Sequence, residues 1–152
     1  MLTIHKIKTD FLYKGSLKGD SGLYYNSFVF EGYGNFCDVY FKSRNKYINQ
    51  EQVDKYNDFK TDFKKYLPEI ELYILSSLKR SEISIKEEIN KSKLTFDVIE
   101  IPLNVFKYDF VLVCGKTYKK FFFITRSIDI RVEFKNGIIK SIQRKKDTTQ
   151  DN

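Results

Sequence analysis

The chain has 152 residues, 41% of them hydrophobic, which suits one ordinary globular core and leaves two independent cores each short of buried surface. Its 27 Lys and Arg against 20 Asp and Glu give a formal charge of +7. That balance favours an acidic surface, nucleic acid or anionic lipid, although a general richness in Lys, Ile, Asn, Tyr and Phe explains it equally without a partner. Met1-Leu2-Thr3-Ile4-His5-Lys6 lacks the apolar stretch of a signal peptide and no later run reaches membrane-spanning length, so the expected setting is the cytoplasm with no membrane partner.

In chain order, Leu2 to Lys8 reads as a strand, followed by a short piece around Phe11 to Tyr13. Gly15, Gly19 and Gly22 punctuate a loop, and Leu23 to Phe30 reads as the next strand. From Asn35 to Lys42 the residues alternate, with Phe36, Asp38, Tyr40 and Lys42 on one side and Cys37, Val39 and Phe41 on the other. The 14 Phe and 11 Tyr of the chain suit sheet surfaces, where large rings pack well.

The period changes at Asn49. Its side-chain oxygen suits an N-cap, and Gln52, three residues later, completes a capping box. Val53, Tyr56, Phe59, Phe63, Tyr66, Leu67, Ile70, Ile74 and Leu78 then recur mostly every three or four residues, which predicts one apolar stripe lying on a sheet. Pro68 has no N–H to donate and disfavours helical geometry at Leu67, so a kink, or a second helix with Pro68 in its first turn, is expected there.

Ser81 to Ser92 mixes periods and reads as polar helix or loop. Leu94, Phe96, Val98 and Ile99 lead to Pro102, which cannot donate to a ladder and so ends a strand or sits at an edge. Phe106 to Cys114 reads as a strand that Gly115-Lys116 turns back into Thr117 to Thr125. Within that second strand, Phe121-Phe122-Phe123-Ile124 implies a central position. Ile128, Ile130, Val132 and Phe134 share a face before Asn136-Gly137, the residue pair of a tight primed turn, and Ile138 to Arg144 completes a hairpin. A two-residue loop places Glu133 opposite Lys140 and Asp129 opposite Arg144. A three-residue loop with a bulge places Phe134 opposite Ile138 and Ile130 opposite Ile142. Exposed ion pairs contribute about 0–1 kcal/mol and burial of an Ile or Phe about 1.5–3, so the bulged register is expected. Residues 145–152 read as a disordered polar tail.

The motifs that suggest chemistry are weak in context. Gly115-Lys116-Thr117 ends like a phosphate loop, but Phe110 stands where that loop needs its first Gly and strand periodicity follows. Glu133-Phe134-Lys135, with Asp109 or Asp129, has the spacing of a metal-dependent nuclease and also that of an ordinary solvated strand face. His5 is the one histidine, and no Gly-x-Ser-x-Gly elbow supplies a nucleophile. Together with two separated cysteines it offers too few ligands for the usual structural zinc site. Glu69 and Glu71, or Glu87 and Glu88, sit at helical spacings that point their carboxylates apart. Cys37 and Cys114 read as small buried residues, with a disulfide between them left open by their spacing. Basic residues interleave with rings at Tyr40-Phe41-Lys42-Ser43-Arg44-Asn45-Lys46-Tyr47 and at Tyr118-Lys119-Lys120-Phe121. That pattern suits single-stranded nucleic acid and equally suits strand edges guarded by Lys. No catalytic, cofactor-binding or metal-binding set of residues is assigned.

Two stretches, Tyr47-Ile48-Asn49-Gln50-Glu51-Gln52-Val53-Asp54-Lys55-Tyr56 and Ile130-Arg131-Val132-Glu133-Phe134-Lys135-Asn136-Gly137-Ile138-Ile139-Lys140-Ser141-Ile142, carry a resemblance. In order and character they resemble a group of small uncharacterised bacterial α+β domains, some associated with polymorphic-toxin immunity loci. Those domains often place an acidic Trp-Asp-Glu-Glu-His-Gly stretch before the last hairpin, where this chain has Thr125-Arg126-Ser127-Ile128-Asp129, so no residue role carries over. The resemblance implies a non-enzymatic binding protein, in its sharpest form a neutraliser of a toxin.

The expected fold is therefore α+β, a single domain over 1–144. A mainly antiparallel sheet packs against one long or Pro-kinked helical segment over about 49–80, and a C-terminal hairpin turns at Asn136-Gly137. The expected function is protein–protein interaction, with nucleic acid the alternative partner and a metal-dependent nuclease at Glu133 and Lys135 the outsider.

Overall fold

A helix opens the chain where alternation predicts a strand. The computed structural model describes residues 1–17, 19–29, 36–79, 86–87, 95–104, 107–120 and 124–144, and its first element is α1 (Ile4–Asp10). Thr3 caps it, its hydroxyl accepting from the Lys6 amide at 3.2 Å. Leu2 and Ile4 are two apart, as in a strand, but Ile4, Ile7 and Phe11 are three and four apart, and burial of Ile7 and Phe11 selects the helical period. Asn57, from the later helix, fixes the entry by accepting from the Leu2 amide at 2.9 Å and donating to the Leu2 carbonyl at 3.1 Å.

Seven strands follow: β1 (Leu12–Gly15), β2 (Ser21–Val29), β3 (Phe36–Arg44), β4 (Thr95–Ile101), β5 (Phe110–Lys120), β6 (Ile124–Lys135) and β7 (Ile138–Arg144). They lie side by side in sequence order, and every pairing is antiparallel except β3 with β4. Parallel neighbours need a crossover. It contains α2 (Gln50–Ser77), which makes the fold α+β with a mostly antiparallel sheet.

The capping box at Asn49 and Gln52 is present, and it does more than start α2. Gln52 is fully buried. Its Nε2 donates to the Lys42 carbonyl at 2.9 Å and the Ile101 carbonyl at 3.5 Å, while its Oε1 accepts from the Asn49 amide at 3.0 Å. Asn49 Nδ2 donates to the Leu103 carbonyl at 3.1 Å. One cap thus ties the helix start to the C-terminal ends of both parallel strands. Val53, Tyr56, Phe59, Ile70 and Ile74 are buried on the sheet, and Tyr66 and Leu78 pack against the same core. The alternative of two helices is not what the chain adopts: α2 is one helix with Pro68 inside it, ending at Ser77. Pro68 is exposed, so the Lys64 carbonyl that it leaves without a helical donor lies on the solvent side of the helix.

Rings join the layers. Phe59 meets Phe110 edge-on at 4.6 Å, Phe110 stacks on Phe134 at 4.6 Å, and Tyr66 lies edge-on to Phe134 at 5.2 Å. At the other end Phe11 contacts Phe28 at 5.6 Å and Phe41 at 5.7 Å, so α1 covers the same sheet face as α2.

Two expectations about the last strands are corrected. Gly115-Lys116 is not a turn, because β5 runs through it to Lys120 with Gly115 paired to Thr95 on one side and Asp129 on the other. A Cβ there would lie 2.5 Å from Asp97 Oδ2, so this Gly makes room for a neighbouring carboxylate. The segment Thr117 to Thr125 is accordingly the end of β5 and the start of β6, and Phe121 to Phe123 lie outside the described residues. The final hairpin takes neither expected register. Asn136 (φ 53°) and Gly137 (φ 71°) both sit in the left-handed region, as a two-residue primed turn requires. Lys135 then pairs with Ile138 and Phe134 with Ile139, after which the register shifts so that Glu133 faces Ser141 and Val132 faces Ile142. The shift has a packing cause. Ile139 and Ile142 are three residues apart and both reach the core, which strict alternation forbids and one extra residue at Lys140 permits. The expectations for 81–92, apart from Lys86 and Glu87 in a helical stretch, and for 145–152 lie outside the described residues.

Because Gln52 satisfies groups on three elements, Gln52→Met, which keeps volume but not hydrogen bonding, is expected to lose about 2–3 kcal/mol in urea unfolding with an unchanged slope. The exposed neighbour Gln50→Met should stay within about 0.5 kcal/mol.

Candidate functional site

Burial of alternate residues on the helix side dictates what the opposite face of the sheet displays. Cys37, Val39 and Phe41 turn inward on β3, as do Ile130, Val132 and Phe134 on β6. Asp38, Tyr40 and Lys42 therefore lie outward, with Asp129, Arg131 and Glu133. On β4 the register shifts between Phe96 and Val98, so Phe96, Ile99 and Ile101 are inward while Asp97, Val98 and Glu100 lie outward. Tyr25 pairs with Tyr40 and their rings meet edge-on at 6.3 Å. Val29 pairs with Phe36 at the end of the same two strands, and these side chains are 56% and 73% exposed.

Part of this face neutralises itself. Lys42 Nζ lies 3.2 Å from Glu100, Arg131 reaches Glu100 at 3.8 Å and Glu133 at 3.5 Å, and Ser141 donates to Glu133 at 2.7 Å. The ladder spans β3, β4, β6 and β7 above the fully buried Val111. The remaining carboxylates, Asp38, Asp97 and Asp129, make no ion pair with a Lys or Arg whose side chain is described. Asp38 accepts from the Ser27 hydroxyl and, at 3.2 Å, from Tyr40 OH. Burial holds the Asp97 carboxyl above its ordinary value, and the charges of Asp129 and then Asp38 push it the same way, against a hydrogen bond from Thr95. Burial, followed by the charge of Asp38, likewise raises the Tyr40 hydroxyl. The result is a group of three neighbouring carboxylates beside two tyrosines and an exposed Val–Phe pair.

The residues that suggested a nuclease are brought together only in part. Asp109, 3% exposed, accepts from the Asn136 amide at 2.6 Å and pairs with Lys135 at 3.1 Å and Lys55 at 3.4 Å. It ties the hairpin turn to α2. Glu133 turns away to Arg131 and Ser141, and Asp129 lies in the patch. No group of three or more His, Cys, Asp or Glu able to hold a metal occurs among the described residues. His5 is exposed on α1, not on a strand. Cys37 and Cys114 are free and buried. Burial, then the charges of Asp97 and Asp38, pushes the Cys37 thiol up to about 12, and burial raises Cys114 well above its usual range, so both stay protonated and unreactive.

In the basic stretch from Tyr40 to Tyr47 each cation has an internal partner: Lys42 has Glu100, Arg44 has Asp20 at 3.9 Å, and Lys46 sits 5.4 Å above the Tyr13 ring. Asn45 and Lys46, with φ of 49° and 59°, form the tight turn from Arg44 to Tyr47. A cavity of about 280 Å³ under α1 is lined by Leu2, Phe11, Asn26, Phe28, Tyr56 and Lys60, with Met1, Lys6 and Asp10. Burial raises the Tyr56 hydroxyl, so it is neutral at physiological pH. Among the described residues no helix is long and apolar enough to cross a membrane.

Sequence reasoning placed Asp38 and Tyr40 on one strand side but missed that Asp97 and Asp129 meet them. The one signal was the interrupted alternation Phe96-Asp97-Val98-Ile99, which marks a bulge.

Two outcomes follow from these contacts. A carboxyl whose proton is held more tightly in the folded state lowers stability as pH rises from its ordinary value of 3.8 through its raised one. Asp97→Asn is therefore expected to raise Tm at about pH 7, with the gain vanishing near about pH 3, in thermal melts across that range. Asp109→Ala removes a buried carboxylate that pairs with Lys135 and Lys55 and accepts from the Asn136 amide, and should cost about 2–3 kcal/mol by chemical denaturation.

No protein-family model matches the chain, and no curated protein or solved structure gives a significant match.

Proposed function

We propose that the chain is a non-enzymatic protein-binding domain whose outward sheet face receives a cationic protein surface. The observation that carries this is the patch of Asp38, Asp97 and Asp129, which no Lys or Arg with a described side chain pairs, beside an ion ladder that neutralises its neighbours. Burial raises the Asp97 carboxyl first and the charges of Asp129 and Asp38 add to it, and an incoming Lys or Arg surface relieves that added repulsion. Tyr25, Tyr40 and Phe36 supply ring surface of the kind that anchors protein interfaces. Neutralisation of a toxin is the sharpest form of this reading, and it draws on the resemblance of the Tyr47–Tyr56 and Ile130–Ile142 stretches to domains found at immunity loci.

The test is calorimetric titration of the chain with the purified product of the adjacent gene. Binding is expected to weaken with salt and to fall at least about tenfold, about 1.4 kcal/mol, in Asp129→Lys. Equal affinity of the wild type and Asp129→Lys, or no binding at all, removes the reading.

A further inference from the structure

The inner face of β2 carries α1. Tyr24, Asn26 and Phe28 pair with the buried Phe41, Val39 and Cys37 of β3, so they share the helix side of the sheet. Asn26 ties this strand to the end of α1: its Nδ2 donates to the Asp10 carbonyl at 3.0 Å, while its Oδ1 accepts from the Ser27 amide at 2.8 Å. Helix α2 brings Tyr56 and Lys60 to the same place. The cavity of about 280 Å³ lies where these three elements meet, close to the lower end of the about 300–1,000 Å³ of small-molecule sites.

Its lining changes character from mouth to floor. Lys6 and Lys60 are exposed at the mouth, one from each helix, and neither makes an ion pair with a described side chain. Asp10 is the one carboxylate among the lining residues, and it accepts from the Thr9 hydroxyl at 2.7 Å. The mouth therefore favours an anion. Deeper in, Phe11 and Phe28 meet at 5.6 Å, and Phe41 backs both Phe11, at 5.7 Å, and Tyr56, at 5.6 Å. Tyr56 is 2% exposed, yet its hydroxyl makes no hydrogen bond with a described group. Nor is it sealed: Ser43 Oγ is the one enclosed and unpaired polar side-chain atom among the described residues, so the Tyr56 hydroxyl opens onto the cavity that its residue lines. Burial keeps that hydroxyl protonated. A buried hydroxyl without a partner is costly, and a site that presents one favours a ligand that completes it.

We infer that this cavity binds a small aryl carboxylate bearing a hydrogen-bonding group at the end of the ring opposite its carboxylate. The carboxylate meets Lys6 and Lys60, the ring packs on Phe11 and Phe28, and the distal group accepts from the Tyr56 hydroxyl. The site lies on the helix side of the sheet, away from the carboxylate patch, so this activity is separate from protein binding.

The experiment is an NMR chemical-shift titration of the full chain with three probes: 4-hydroxyphenylacetate, phenylacetate and 4-hydroxyphenylacetamide. The first is expected to saturate with a Kd on the order of 0.1–1 mM and to move the Phe11, Phe28 and Tyr56 amides. Phenylacetate, which lacks the distal hydroxyl, and the amide, which lacks the charge, should each bind at least about fivefold more weakly. Tyr56→Phe is expected to erase the preference for the hydroxylated probe and keep that for the charged one, and Lys6→Gln/Lys60→Gln to do the converse. A general loosening of the fold would weaken both preferences together. Phe28→Trp, which fills the cavity, should abolish binding, and it keeps the test sound if Tyr56→Phe fails to fold. The inference is overturned by no saturable shift up to about 10 mM, by shifts centred away from these residues, or by equal affinity for the three probes. Preferences that survive both sets of substitutions overturn it as well. Asp129→Lys, on the opposite face of the sheet, should leave the titration unchanged, so this inference and the protein-binding reading fail independently.

Discussion

Burial of the α2 stripe against one face of the sheet is the constraint from which the rest follows. Phe59, Phe110, Phe134 and Tyr66 form a continuous ring cluster between helix and strands, and full burial of each such side chain contributes about 1.5–3 kcal/mol. Once alternate residues of β3 and β6 are committed to that interior, the residues between them have no choice of side. Asp38 is outward because Cys37 and Val39 are inward, and Arg131 because Ile130 and Val132 are. Gln52 locks the arrangement by bonding the ends of β3 and β4 from the first turn of the helix, so the one parallel pairing and the helix start are set together.

Where strict alternation fails, it fails in service of that same burial. The shift at Phe96 to Val98 keeps both Phe96 and Ile99 in the core, and in doing so puts Asp97 on the outward face. The shift opposite Glu133 and Phe134 lets Ile139 and Ile142 share the core, and it sets Ser141 opposite Glu133, whose carboxylate its hydroxyl satisfies. The electrostatics of the open face are thus a by-product of packing on the closed one. Asp97 would not join Asp38 and Asp129 in a perfectly regular sheet.

Much of this was legible from local chemistry. The Asn49–Gln52 box, the helical stripe, the inward side of β3 and the primed turn at Asn136-Gly137 each rest on a few neighbouring residues whose preferences agree. What was misread required knowledge of partners. Ile4 and Ile7 fit a helix and Leu2 and Ile4 a strand, and only contact with Asn57 and the core decides between them. Gly115 looks like a turn residue until Asp97 is found occupying the space its missing Cβ leaves. The outward carboxylates lie far apart in the chain and converge only through registers that no single strand encodes.

Net charge hides the division that these registers create. At physiological ionic strength fields decay over about 8 Å, so an approaching molecule responds to the sign of the nearest surface and not to the formal +7 of the whole chain. On the outward face Lys42 and Arg131 pair with Glu100 and Glu133, while Asp38, Asp97 and Asp129 act on one another. A chain that is basic overall therefore carries on its sheet a local cluster of carboxylates that the net charge does not reveal.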